Sequence, residues 1–156
     1  MPPSSGRNLR VVPAGDAQSG GKRLPLRVLI ADDDRDTAMT LAMVLRDEGH
    51  EVHTTLRGDE VLDTCRLLRP DVVIVDINMP GMSGYAIARE LRERHGTLAP
   101  LLIAISGVWT KSSDRLVGEA VGFDHYLLKP CGPQDVLRLM EPLLRRGGDS
   151  GVNSAA

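Results

Sequence analysis

Three short polar signals each follow a short apolar run. Asp32-Asp33-Asp34 comes directly after Val28-Leu29-Ile30-Ala31. Asp76 comes directly after Val72-Val73-Ile74-Val75 and leads into Asn78-Met79-Pro80-Gly81. Lys129-Pro130 comes directly after Tyr126-Leu127-Leu128. Apolar runs of this length, bounded by polar and turn residues, read as buried strands. Acid, acid and base at the carboxyl ends of separate strands of a parallel sheet meet at one edge, where open α/β folds bind their ligands. Two carboxylates about 4 Å apart repel by about 4 kcal/mol at an effective dielectric near 20. Such a cluster persists only if it is solvated, protonated or holding a cation. All-oxygen ligands with room for water suit Mg²⁺, and a backbone carbonyl from the loop after Asp76 could add one more oxygen. A divalent cation beside Asp76 lowers the repulsion toward an incoming phosphoryl group and neutralises charge that develops on it. Lys129 can hold a phosphoryl oxygen as a point charge. Ser106, at the end of another apolar run, can donate a hydrogen bond to one. Carboxylates also accept phosphoryl groups, so the cluster reads as an aspartyl-phosphate site.

The elements that must position these residues alternate along the chain. Strands are predicted at residues 27–31, 51–54, 71–75, 101–105 and 123–128. Ala38, Leu41, Ala42 and Leu45 recur at helical spacing, and Gly49 is placed to end that helix. A second helix is expected at residues 58–68. Ile87, Ala88 and Leu91 mark a third, Leu116, Val117 and Ala120 a fourth ended by Gly122, and Val136, Leu137, Met140, Leu143 and Leu144 the last. Strands that alternate with helices and read as continuous apolar runs imply an α/β fold with a parallel sheet covered on both faces. Residues 1–25 and 147–156, rich in Gly, Ser and Pro or polar residues, read as a disordered arm and a flexible tail around a domain at 26–146.

Composition narrows the function. The chain has 156 residues and a net charge of −2, which gives no electrostatic reason to expect a nucleic-acid partner. Aromatics at 3% argue against a stacking platform for single strands. No apolar run is long enough to span a membrane, and the N-terminus lacks a secretory h-region. Cys65 and Cys131 form no CxxC and read as reduced thiols of a cytoplasmic protein.

The segments Leu29 to Asp34, Val75 to Gly84, Ile105-Ser106-Gly107 and Tyr126 to Pro130 resemble the receiver domain of two-component response regulators, of the single-domain chemotaxis-regulator kind. The resemblance covers about residues 26–146. Gly122-Phe123-Asp124-His125-Tyr126 is also similar to receivers of hybrid histidine kinases. The resemblance implies a flavodoxin-like (βα)5 sheet of order 2-1-3-4-5. It makes Asp76 the phosphoacceptor, charged from a phosphohistidine on a histidine kinase or phosphotransfer protein. Asp33, Asp76 and the Asn78 main-chain carbonyl would bind Mg²⁺ directly, and Asp32 mainly through water. Ser106 and Tyr126 match the switch pair, Lys129 the lysine that contacts the phosphoryl group, and Pro130 the proline after it, commonly cis. The chain would be a monomer or weak homodimer that catalyses only its own phosphorylation and dephosphorylation, and signals to a further protein or relays the phosphoryl group. Ser106 stands where Thr is frequent, and Cys131 where Phe is common. Asn78 and Val108 occupy positions that tune dephosphorylation.

Other readings fit less well. Asp34 is expected to cap a helix, but capping alone leaves Asp76 and Lys129 unexplained. An EF-hand fails because Thr37 replaces the glycine and Met43 the terminal glutamate. A haloacid-dehalogenase-type phosphatase would need a nucleophile after the first strand, in a motif that Asp32 to Asp36 does not complete, and a cap domain. A phosphate-independent adaptor would not need the full acidic set with Lys129.

Overall fold

The computed structural model describes residues 25–107 and 122–155, with 145–155 as backbone only. Five strands, β1 (Arg27–Ala31), β2 (Glu51–Thr55), β3 (Val72–Asp76), β4 (Leu101–Ser106) and β5 (His125–Leu128), form one sheet of order β2-β1-β3-β4-β5. Every neighbouring pair is parallel. All of β3 is buried, and β1 beyond Arg27, whereas the edge strand β2 alternates between exposed and buried. Central strands covered on both faces need apolar residues at every position, which is why they are legible as unbroken runs.

Strand alternation sorts these residues onto two faces. Leu29, Ala31, Val73, Val75, Leu102 and Ala104 share one core cluster with Val61 and Cys65 of α2 (Val61–Leu68) and with Ile87, Ala88 and Leu91 of α3 (Gly84–His95). Ile30, Ile74 and Ile105 turn to the opposite face, where they line a cavity with Leu41 of α1 (Arg35–Asp47). Leu29, Leu45 and Ile74 are essentially inaccessible. Each such burial contributes about 2 kcal/mol relative to an exposed side chain.

Helix α1 buries Ala38, Leu41, Ala42 and Leu45, as their spacing predicts. Asp34 caps its start, accepting from the Thr37 N–H at 3.4 Å and from Thr37 Oγ1 at 2.8 Å. Its end is a Schellman turn: the Gly49 N–H donates to Arg46 O at 2.9 Å and the His50 N–H to Leu45 O at 3.1 Å. Gly49 sits at φ 98°, a conformation costly for residues with a Cβ. The second helix opens with a 3₁₀ turn, Gly58–Glu60, before α2.

Two boundaries differ from expectation by more than one residue. β5 begins at His125 rather than at residue 123. The Asp124 carboxylate accepts from the Leu102 N–H at 2.8 Å and from Arg92 Nη2 at 2.7 Å, so a side chain takes the donor that a neighbouring strand carbonyl would otherwise occupy. The C-terminal helix spans Pro133–Ala155, past Gly147-Gly148, where it was expected to stop. Each glycine costs a helix about 1 kcal/mol relative to alanine, yet each added residue still gains a backbone hydrogen bond. Leu26–Pro133 forms one compact unit and the chain from Gln134 belongs to another; Val136 and Met140 of the C-terminal helix are buried. The helix expected around Leu116, Val117 and Ala120 lies outside the described residues, as do the 1–24 segment and Val108.

Candidate functional site: an acidic cluster at the carboxyl edge of the sheet

The strand order changes direction between β1 and β3, and the register sets Ala31 opposite Val75. Asp32 and Asp76, each one residue further, therefore lie level at the carboxyl edge. Carboxylate oxygens of Asp32, Asp33 and Asp76 all fall within 4.8 Å of one another. Asp32 and Asp76 are buried and Asp33 is exposed. The Asp34 N–H donates to Asp32 Oδ1 at 2.9 Å, and the Asn78 N–H to Asp76 Oδ1 at 3.0 Å. Lys129 reaches into the cluster from the end of β5. Its Nζ lies 2.9 Å from Asp32 Oδ2 and 3.3 Å from Asp76 Oδ2. The ammonium thus bridges two carboxylates, where the sequence pointed only to a phosphoryl oxygen.

Electrostatics follow from this geometry. Burial pushes the Asp76 carboxyl above its usual range and the neighbouring Asp32 charge adds to that, while the Asn78 N–H and Lys129 pull the other way. Burial acts to lower Lys129, but Asp32 and Asp76 together outweigh it and hold the ammonium above its ordinary value. Asp34 is held low by the Thr37 hydroxyl and N–H that it caps.

The remaining sequence-predicted residues surround this cluster. Ser106 ends β4, is buried, and its carbonyl accepts from the Lys129 N–H at 2.8 Å. The Lys129-Pro130 bond is cis. Asn78 is exposed on the loop after β3. Tyr126, paired with Ala104 across β4 and β5, packs against the α2–α3 core, and its hydroxyl finds no hydrogen-bond partner among the described residues. The donor set of three carboxylates, all oxygen and partly open to water, fits a hard cation such as Mg²⁺.

Sequence reasoning did not single out Thr55 or the cavity. The Thr55 carbonyl accepts from the Asp32 N–H at 3.1 Å and so fixes the backbone of a cluster residue. Nothing in a threonine at a strand end signals this, because it depends on β1–β2 register. The cavity, about 550 Å³, opens beside the cluster between α1 and the Lys129–Pro133 segment, with Cys131 in its wall.

With this geometry in hand, comparison with known proteins places the chain. The sequence model of the response regulator receiver domain matches residues 28–141, and the chain belongs to that family, whose members act in two-component signalling. It is 35% identical over 132 residues to a probable transcriptional regulatory protein, TcrX, of Mycobacterium tuberculosis, covering 85% of this chain and 55% of TcrX. It is 36% identical over 119 residues to the transcriptional regulatory protein CreB of Escherichia coli, covering 76% of this chain and 51% of CreB. The chain thus spans about half the length of the curated relatives it matches. The chemotaxis response regulator CheY4 of Vibrio cholerae has a similar structure, with TM-score 0.69 and 29% identity over 77% of this chain and 99% of that one. Several further relatives are named DNA-binding response regulators, so the expectation that nucleic acid is no partner gains no support from them. Among the described residues, no helix is long and apolar enough to cross a membrane.

Proposed function

We propose that residues 26–146 are a receiver in which Asp76 takes a phosphoryl group from a partner phosphohistidine. The observation that carries this reading is the convergence of Asp32, Asp33 and Asp76 with the Lys129 ammonium, 3.3 Å from Asp76 Oδ2. Asp33, Asp76 and the Asn78 carbonyl would hold Mg²⁺, with Asp32 acting mainly through water. Bound there, the ion would supply positive charge against the phosphoryl oxygens. Asp76 attacks as the carboxylate, and the P–N bond of the donor breaks with its electron pair leaving on the imidazole. Lys129 steadies the transferring oxygens as a point charge, and the Ser106 hydroxyl donates to one of them. The Asn78 N–H holds the other carboxylate oxygen, which limits rotation of the nucleophile. Ser106 and Tyr126 then bias the surface around β5 between two arrangements. Output passes to another protein by binding or by onward transfer. The DNA-binding names belong to longer chains, of which the matched region is about half, and a net charge of −2 gives this sequence no electrostatic footing on a phosphate backbone.

The test is incubation with a small acyl phosphate and Mg²⁺. Stoichiometric label that is absent in Asp76→Asn is the expected result. Repeated turnover on a phosphomonoester, or label retained in the variant, would refute it.

A further inference from the structure

The turn between β2 and α2 grips the loop that follows Asp76. The Gly58 N–H donates to Pro80 O at 2.9 Å. Gly58 is buried, and a Cβ there would overlap the Met82 main chain at its carbonyl oxygen, carbonyl carbon and nitrogen. The two segments therefore meet backbone to backbone, which only glycine permits. Gly81, at φ 95°, closes the contact from the other side. A Cβ on it would lie 2.9 Å from both Asp59 N and Asp59 Oδ1. Asp59 is in turn held by a two-pronged pair, Arg57 Nε to Oδ1 at 3.0 Å and Arg57 Nη2 to Oδ2 at 2.9 Å. Fork-to-fork pairs of this kind fix orientation as well as distance.

The gripped loop carries Asn78, whose N–H holds Asp76 Oδ1. We propose that the 57–60 turn is a positioning clamp. Gly58, backed by the Arg57–Asp59 pair, sets the backbone of residues 78–82 and through it the alignment of Asp76 and Asn78 for Mg²⁺. The proposal rests on the acceptor-site reading above. Mg²⁺ demands near-ideal octahedral geometry and tolerates displaced ligands poorly, and groups that orient metal ligands commonly change affinity tenfold or more when altered. A purely structural role for Gly58 would lower the melting temperature and leave Mg²⁺ affinity of the folded protein untouched.

Calorimetric titration with MgCl₂, well below the melting temperature, separates these roles. The variants are Gly58→Ala and the charge-neutral double Arg57→Ala/Asp59→Ala, each checked for native circular dichroism. The expected result is a rise of about tenfold in the Mg²⁺ dissociation constant for Gly58→Ala and a smaller rise for the double variant. Wild-type affinity in both variants overturns the clamp while leaving the acceptor site standing. If Gly58→Ala does not fold, the double variant decides alone, and unchanged affinity in it overturns the clamp. A wild-type protein that binds no Mg²⁺ overturns the acceptor-site reading, and the clamp with it.

Discussion

Single side chains in and around the site are under opposing demands. Tyr126 buries a hydroxyl that has no hydrogen-bond partner among the described residues. Leaving a buried donor unmade costs about 1–3 kcal/mol, whereas removing it leaves the ring packing intact. Tyr126→Phe should therefore stabilise the phosphate-free protein by about 1 kcal/mol, seen as a higher urea midpoint at unchanged slope. A lower midpoint would show that the hydroxyl is satisfied after all. The two cysteines divide in the same way by environment. Burial pushes the Cys65 thiol up to about 12, so almost none is thiolate at neutral pH, and it faces the α2–α3 core. Cys131 is half-buried in the wall of the cavity that Asp76 and Lys129 also line. Maleimide treatment of the native protein at pH 7, followed by peptide mass mapping, should label Cys131 and spare Cys65. The Cys131 adduct should slow labelling of Asp76 by acyl phosphate.

Elements record how far a sequence determines its own geometry. Helix α2 ends on Arg69, which takes the left-handed conformation at φ 51° while its N–H donates to Cys65 O at 2.8 Å. A side chain there costs about 1–2 kcal/mol relative to a right-handed residue. Arg69→Gly should raise stability by about 1 kcal/mol, and a thermal melt showing loss instead would mean that the Arg69 side chain makes a compensating contact. The Arg69 strain was not legible in the sequence, since glycine is the usual signal and none directly follows Leu68. β1 and β3 were legible because burial on both faces forces unbroken apolar runs, and α1 because one buried face repeats every three or four residues. The start of β5 was misplaced because Asp124 swaps a ladder bond for a side-chain bond, which no periodicity reports. Within the site, residue types and strand ends pointed to Asp32, Asp33, Asp76 and Lys129. The contact of Lys129 with Asp32, shorter than that with Asp76, could not be foreseen. It depends on where β5 lies relative to β1, with β3 and β4 between them in the sheet.

At the scale of the whole molecule, the cluster couples fold stability to protons and, on the function proposed above, to divalent cations. Burial is the main reason that the Asp76 carboxyl titrates above 3.8 when folded, with Asp32 repulsion adding to it. The folded state thus binds this proton more tightly than the unfolded chain does. The associated stability is complete below pH 3.8 and is lost as pH rises through the folded value, so an ionised Asp76 is a net cost at neutral pH. Lys129 offsets part of that cost and keeps its shorter contact, to Asp32, when Asp76 is neutralised. Asp76→Asn should therefore melt higher than the wild type at pH 7 in the presence of a chelator, with the difference vanishing below about pH 3.8. A cation that binds only the folded protein acts in the same direction. At a hundredfold excess over its dissociation constant, Mg²⁺ should add about 2.7 kcal/mol to wild-type stability. Asp33→Ala should lose most of that gain, because it removes an exposed carboxylate of the proposed cation site without disturbing the Lys129 contacts. Melting curves of the three proteins with and without Mg²⁺, at pH 7 and pH 3.5, test both effects together. A wild type that matches Asp76→Asn under chelation at pH 7 would show that the buried carboxylate carries no uncompensated charge. An equal Mg²⁺ response in Asp33→Ala would move the cation away from this edge of the sheet.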